Sequence, residues 1–586
     1  MCGLYGYSIM NGEINNFSSI ALNSLTHRGP DQWGKWHDEL LYMGHRRLSI
    51  IDLSENGKQP MIDKDNTVVI SVNGEIYNFK QIRKELKIKY QFKSDSDSEV
   101  ILHGYREWGI DKLLGMIDGM YAIVIYDILN KKVYLIRDRV GIKPLYYSFI
   151  DNQLVWGSEL KAIIAHYKNK QLPIDNSALY DFLTYLYIPT PKTMFKGVFK
   201  LEPAHFIEFD LLSQNLIKKQ YWQLEVKENP IKLGEAKKEL KHLIKKSVKE
   251  QMISDVPLGF FLSGGMDSSV VTASAQTIYK NISAYSIGFD VKEHSEIEFA
   301  KLLANNCNID HNVKILSLDK TKLMFNKLLT WYDEPFGDTS AFPTNIVAEF
   351  AKESVTVVLT GDGGDEIFGG YNWYNRFLKL LKYDLSQWNH HRHLVYKCEK
   401  NCGINILRKL LKKLDRTMMS DLERYASLLG NMGDGFKEKY KIDLGIDSDY
   451  DDLWYFRKYY KPDLPLFTRL QYLDFHTYLP DDILTKVDRA TMATSLEARV
   501  PLLSKEIIEF SFGIPENIRV LKGDLKGLFK YTFSDLLPKQ IIDREKKGFS
   551  IPSKAWRNDL YDGYSYPQEK ILELFTSQLK TPSYTL

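Results

Sequence analysis

The chain has 586 residues, 44% hydrophobic and 26% charged, which is room for about two to four domains with cores of their own. Its 78 basic and 75 acidic side chains leave a net charge of only +3, without the basic excess of a nucleic-acid-binding surface. No apolar run reaches the ~20 residues that span a bilayer, and no basic-then-apolar leader opens the chain, so a cytoplasmic location is expected.

Four cysteines (Cys2, Cys307, Cys398 and Cys402) are too few to staple a chain of this size and fit free thiols in a reducing compartment. His390, His391, His393, Cys398 and Cys402 lie close together but lack paired C-x2-C spacing, so a solvated helical face is expected there and not a zinc site.

In chain order the first signal is Met1-Cys2-Gly3. A small second residue favours removal of the initiator, so the mature chain is expected to begin at Cys2. That cut places a thiol and a free α-amine, of reference pKa roughly 7.7–8.0, on one residue. Such an amine can serve as the base a thiol needs to become a nucleophile.

Up to about residue 210 the pattern is short β-rich runs between Gly/Asn/Asp turns. Thr67–Val72 reads as a strand ending in an Asn73-Gly74 turn. Tyr121–Tyr126 and Lys132–Ile136 read as a hairpin around Asp127–Lys131. Ser96-Asp97-Ser98-Glu99 predicts a capping box, with Asp97 in the first helical turn and Ile101, Tyr105 and Trp108 on one buried face.

Cys2-Gly3, His27–Asp31, Arg47–Asp52, Asn73–Asn78 and Ser96–Glu99 resemble, in order and spacing, the glutaminase domain of the class II glutamine amidotransferases, which are N-terminal-nucleophile hydrolases. The resemblance implies that Cys2 attacks the side-chain amide of glutamine. It implies an oxyanion hole made by the Asn73 side-chain amide and the Gly74 N–H. Arg47, with its bidentate fork, would take the α-carboxylate of glutamine, and Glu75 and Asp97 its α-ammonium.

Residues 210–235 read as an edge hairpin and connector. From Ala236 a lysine-rich helix opens a second texture, in which apolar runs end in glycine-rich loops followed by helices. That alternation predicts a parallel α/β sheet with ligands at the strand C-termini. Leu258–Leu262 leads into Ser263-Gly264-Gly265-Met266-Asp267-Ser268-Ser269, a phosphate-cradling turn at a helix start. No Gly-Lys-Ser/Thr closes it, so it is not a Walker A loop. Ser283–Phe289 is a second strand, and Val355–Leu359 runs into Thr360-Gly361-Asp362-Gly363-Gly364-Asp365-Glu366. Three carboxylates in so short a loop repel one another unless cations compensate.

The Ser263–Ser269 loop resembles the pyrophosphate loop of enzymes that split ATP to AMP and pyrophosphate. Lys486–Arg489, Leu496–Pro501 and Arg544–Pro552 extend the likeness, and nearly the whole chain resembles the glutamine-hydrolysing asparagine synthetases. By that resemblance Leu262, Ser263, Gly264, Gly265, Asp267, Ser268, Ser269, Ile287, Thr360 and Gly361 bind ATP. Asp267 and Asp365 would hold Mg²⁺, Asp362 lines the acyl-adenylate pocket, and Lys546 stabilises charge on the adenylate, with its neighbour Lys547 excluded. The implied architecture is α/β multidomain: an αββα sandwich of antiparallel sheets over 1–210, a connector over 211–235, and a parallel-sheet synthetase domain with helical additions over 236–586.

The expected partners are glutamine, ATP and a carboxylate acceptor, aspartate first, and the resemblance allows a homodimer. A sugar uronate or modified amino acid could replace aspartate with the chemistry unchanged. A sugar- or phosphoribosyl-amidotransferase would share only the first half, and Ser263–Ser269 argues against it. A non-catalytic synthetase relative is opposed by the intact Cys2, Arg47, Asn73, Asp97, Asp267, Asp365 and Lys546. Residues 371–465 carry no chemistry and read as amphipathic helices around the synthetase core. Beyond Gly548 the tail is expected to be short, where many relatives continue with an aromatic helix.

Overall fold

The computed structural model describes residues 1–10, 12–291, 295–325, 327–382, 419–429, 434–549, 551–552 and 567–579, with the single positions 556, 560 and 564. The strands of the first half are β1 (Cys2–Ser8), β2 (Gln32–His37), β3 (Leu41–Arg47), β4 (Met61–Ile62), β5 (Val68–Ile76) and β6 (Gly119–Asp127). They continue with β7 (Lys132–Arg137), β8 (Tyr146–Ile150), β9 (Gln153–Gly157), β10 (Val198–Lys200), β11 (His205–Asp210) and β12 (Leu216–Gln220).

These strands form two antiparallel six-stranded sheets, ordered β10-β8-β9-β1-β3-β2 and β12-β11-β7-β6-β5-β4. Alternate residues of each strand point inward. Leu4, Met43 and Trp156 from one sheet meet Val69, Val124 and Leu135 from the other, all at most 1% exposed. Helices Phe79–Leu86 and Glu99–Met116 cover the outer face of the second sheet. Helices Ser18–Asn23, Leu160–His166 and Asn176–Tyr185 cover the first. The αββα sandwich is therefore as expected.

Two local expectations are corrected. Asn73-Gly74 is no turn: β5 continues to Ile76, because β6 supplies partners beyond the dipeptide, with Asn73 opposite Ala122 and Gly74 opposite Tyr121. Nor does the capping box form. The helix begins at Glu99, after Ser98, and Glu99 instead accepts from the Lys93 and Ser94 N–H groups at 2.8 Å each, tying down the incoming loop. Asp97 thus sits just before the helix, on a loop held from behind.

The second half is built on β13 (Leu258–Phe261), β14 (Ser283–Phe289), β15 (Asp310–Leu316), β16 (Val357–Leu359) and β17 (Glu497–Arg499), in the all-parallel order β15-β14-β13-β16-β17. The chain moves outward from β13 first to one side and then to the other. The crevice between β13 and β16 is therefore the topological switch point, where such sheets bind ligands. The lysine-rich helix spans Leu233–Gln251 and buries Leu240, Ile244 and Val248.

Of the stretch 371–465, helices Asn372–Lys382 and Trp454–Tyr459 pack around the synthetase core as expected. The His390–Cys402 cluster lies outside the described residues. No described helix is long and apolar enough to cross a membrane.

Candidate active sites

Cys2 opens β1 directly opposite Arg47 of β3. Its backbone nitrogen donates to Asn73 Oδ1 at 2.8 Å, which fixes the Asn73 amide edge-on to the cysteine. The other end of that amide, Nδ2, is buried and has no hydrogen-bond partner. A buried donor left empty is costly, by about 1–3 kcal/mol, and calls for an acceptor supplied from outside the chain. Gly74 follows with φ near +150°, and a Cβ there would stand 2.0 Å from the Met120 carbonyl oxygen, so no side chain fits. Burial pushes the Cys2 thiol up, against the pull of the N-terminal amine, the Leu48 N–H and Arg47. A buried thiol raised in this way needs a nearby base to react.

Arg47 is more committed than its sequence position suggests. Its terminal nitrogens donate to Gln32 Oε1 at 2.8 Å and to the carbonyls of Ile51 at 3.0 Å and Asp52 at 2.6 Å, closing the loop beside Cys2. Glu75 lies on the same face of β5 as Asn73, and Asp97 accepts from the Ile76 N–H at 2.7 Å. Burial raises both carboxyls, and for Glu75 the facing Asp97 and Glu497 add to it.

Residues of the second half complete this pocket. Glu497 of β17 accepts from the Met1 ammonium at 2.9 Å, and Arg499 reaches Glu75 at 3.5 Å. Burial opposes ionisation of Glu497, yet the N-terminal ammonium and Arg499 hold its carboxyl down at about 2. Arg28 donates through Nε to the Cys2 carbonyl at 3.0 Å and through its terminal nitrogens to Glu159 and Asp488 at 2.8 Å each. Arg28, Glu159 and Asp488 are at most 3% exposed, so the strand that carries Cys2 is fastened to the second half of the chain by a buried ion network.

The second site lies in the switch-point crevice. Leu262–Gly265 turns from β13 into helix Met266–Gln276. Gly264 has φ +77°, and a Cβ on it would press on Ala300 N at 2.8 Å. Ser263, Gly265 and Ser268 bond among themselves and hold the turn open, while Ser269 is fully buried behind it. Gly361 packs so closely that a Cβ there would be 2.4 Å from Ser268 N, so the two glycine-rich loops touch. Thr360 is tied to the Arg499 carbonyl at 2.9 Å. Ile287 lies near the C-terminal end of β14, beside Ser286, whose hydroxyl donates to the Leu262 carbonyl.

That contact between loops brings Asp267 and Asp365 onto one cation, the Lys526 ammonium, at 2.5 Å and 2.7 Å. Lys546 pairs with the other oxygen of Asp365. Burial would push Asp365 up, but Lys526 and Lys546 together hold it well below the usual carboxylate range. Among the described residues no group of three or more His, Cys, Asp or Glu side chains is placed to hold a metal ion unaided. Two carboxylates converging on a point charge are the donor type that suits the protein share of a Mg²⁺ site.

Sequence order located Cys2, Asn73, Gly74, Glu75 and Asp97, which the fold brings together, and likewise Asp267, Asp365, Lys546 and the phosphate loop. It left Arg28, Glu497, Arg499 and Lys526 without roles. Lys526 carries one legible mark only in three dimensions: it is a lysine in the left-handed region, φ +57°, where backbone strain gathers at functional positions. Glu497 and Arg499 lie in β17, a three-residue strand buried throughout, which only the fold reveals.

The comparisons with known proteins agree with this geometry. Residues 1–222 match the family described as glutamine amidotransferase domain, and residues 239–575 the family described as asparagine synthase. Asparagine synthetase [glutamine-hydrolyzing] 1 of Bacillus subtilis is 34% identical over 547 residues, covering 91% of this chain and 83% of the relative. Putative asparagine synthetase [glutamine-hydrolyzing] 2 of Methanocaldococcus jannaschii is 36% identical over 397 residues, 63% of this chain and 76% of that one. Amidase chry2 of Gibberella zeae is 25% identical over 625 residues, 95% and 90% of the two chains. With two sites of this construction and matches over nearly its whole length, the chain belongs to the asparagine synthase family and carries the glutamine amidotransferase domain at its N-terminal end.

Proposed function

We propose that the protein amidates aspartate to asparagine, using ammonia released from glutamine and driving the step by ATP cleavage to AMP and pyrophosphate through an acyl-adenylate. The observation that carries the first half is the empty, buried Asn73 Nδ2 beside Cys2. Once Met1 is removed, the Cys2 nitrogen held at Asn73 Oδ1 becomes the free amine that takes the thiol proton. The thiolate then attacks the glutamine amide carbon. Asn73 Nδ2 and the Gly74 N–H receive the oxyanion, Glu75 and Asp97 receive the substrate ammonium, and Arg47 faces its carboxylate.

In the second half the Ser263–Ser269 turn cradles the phosphates, with Leu262, Ile287, Thr360 and Gly361 bounding the nucleotide. Asp267 and Asp365 would hold Mg²⁺, which supplies charge neutralisation for the departing pyrophosphate. Asp362 borders the adenylate and Lys546 meets its developing charge. A carboxylate oxygen is a poor leaving group, so adenylation comes before attack by ammonia. Activities are thus assigned to 1–210 and 236–586, joined by 211–235, in a cytoplasmic enzyme.

The assignment is tested by pyrophosphate release over a panel of carboxylates with ammonia or glutamine as nitrogen source. Aspartate should give the highest turnover per KM, and no signal with aspartate would refute it. Asn73→Ala should lower glutamine hydrolysis by roughly 10²–10³-fold while ammonia-dependent synthesis persists. A loss of less than about tenfold would remove Nδ2 from the oxyanion role.

A further inference from the structure

The stretch of chain that carries Lys546 has little regular structure to hold it. From Asp543 to Phe549 it forms no helix or strand, and Arg544-Glu545-Lys546-Lys547-Gly548 offers charges and a glycine where a packed segment would have apolar side chains. Such a segment has many conformations to give up, so a lysine on it is placed only as well as its tethers allow. One tether is neutral and at the surface: the Lys546 carbonyl accepts from Asn372 Nδ2 at 3.2 Å.

The strong tether is Arg544, two residues before the lysine. Its Nη1 donates to the Gly264 carbonyl at 2.7 Å, and its Nη2 pairs with Glu296. The guanidinium lies over the Phe299 ring at 4.6 Å, so the planar group is held on one face and at both terminal nitrogens. Both members of the ion pair are largely buried. Burial pushes the Glu296 carboxyl up, against the pull of Arg544 and of Lys546 and Lys547 beyond it. A charge-assisted pair in so dry a place fixes direction as well as distance.

The three anchors belong to one place. Glu296 caps the helix Ile297–Cys307 and Phe299 lies in its first turn, and this helix end backs the phosphate turn. A Cβ on Gly264 would stand 2.9 Å from the Glu296 carbonyl oxygen and 3.0 Å from Phe299 Cβ. The peptide joining Gly264 to Gly265 is planar and trans, so its C=O and N–H point in opposite directions. Arg544 holds the carbonyl outward. The Gly265 N–H is thereby turned into the loop, where Ser263 Oγ meets it at 3.2 Å, and this is a donor that a bound phosphate would claim.

We propose that Arg544 is a positioning residue of the synthetase step, coupling the lysine segment to the phosphate turn: one guanidinium sets the Gly264–Gly265 peptide for phosphate and places the Lys546 ammonium beside it. This rests on the synthetase reading given above and adds to it a residue that acts through Gly264 and Lys546. A lysine in its place would keep a charge for Glu296 but has no planar fork to hold the Gly264 carbonyl and the Phe299 face together.

The test uses purified full-length enzyme with ammonia as nitrogen source, Lys546→Ala as a second background, and glutamine hydrolysis as the control for folding. Arg544→Ala should weaken equilibrium binding of ATP with Mg²⁺, read by calorimetry without acceptor, by about tenfold, and should lower kcat by about tenfold as well. In the Lys546→Ala background it should still weaken ATP binding but lower kcat no further, because the group it positions is gone. An arginine with a merely structural role would reduce the active fraction and leave the Kd for ATP where it was. Arg544→Lys should leave most of both losses in place, and it takes the place of Arg544→Ala in the same cycle should the alanine variant lose glutamine hydrolysis. Unmoved ATP binding, an unmoved kcat, or a kcat loss that multiplies in full in the double variant would overturn the coupling and leave the synthetase reading intact. A wild type that binds no ATP and releases no pyrophosphate with any carboxylate would overturn both.

Discussion

Replacing Cys2 by alanine is expected to abolish glutamine-dependent synthesis, by roughly 10⁴-fold or more, as when a covalent nucleophile is removed from other acyl-transfer enzymes. Ammonia-dependent synthesis should stay near the wild-type rate, because Cys2 is held by Asn73, Arg28 and β3, all in the first half of the chain. Alanine is small enough to preserve both removal of Met1 and the strand pairing with Arg47. The measurement is product amide formed with glutamine and with ammonium chloride in parallel. Loss of both activities in a variant with wild-type thermal unfolding would contradict two separable sites.

Lys546→Ala should do the converse. Asp365 would keep Lys526 but lose its second ammonium, and under the proposed mechanism the adenylate would lose the cation that meets its developing charge. Synthesis from either nitrogen source should fall by roughly 10²–10³-fold, the range for removing one preorganised charge partner. Glutamine hydrolysis should continue, so glutamate accumulates far beyond the amide product. Lys546→Arg should recover little, since a planar fork does not replace a compact ammonium. A Lys546→Ala enzyme that still couples the two products one to one would remove this lysine from the synthetase step.

What the sequence made legible was local and ordered. The turn after Phe261 and the acidic loop after Leu359 are short motifs whose geometry depends on neighbours in the chain, and Cys2, Asn73 and Asp97 were legible by their order along it. Where a motif's outcome depended on a distant strand, the local signal misled. Asn73-Gly74 has the composition of a turn, and β6 pairs through it. Ser96–Glu99 has the spacing of a capping box, and Lys93 and Ser94 capture Glu99 first. Lys526 and Glu497 were silent for the same reason: each acts on a partner hundreds of residues away, and no periodicity encodes that contact.

The fastening of β1 also has a consequence for how the molecule is made. Cys2 is the first functional residue to leave the ribosome, but Asp488, which fixes its strand through Arg28, stands 460 positions after that arginine. A nascent chain therefore has its thiol long before it has the carboxylate that fixes the strand bearing it. Glutamine cleavage by a half-built chain would release ammonia with nothing to consume it. The order of synthesis works against this, because the strand bearing the thiol is fastened only after the Ser263–Ser269 turn and the Thr360–Glu366 loop have been translated.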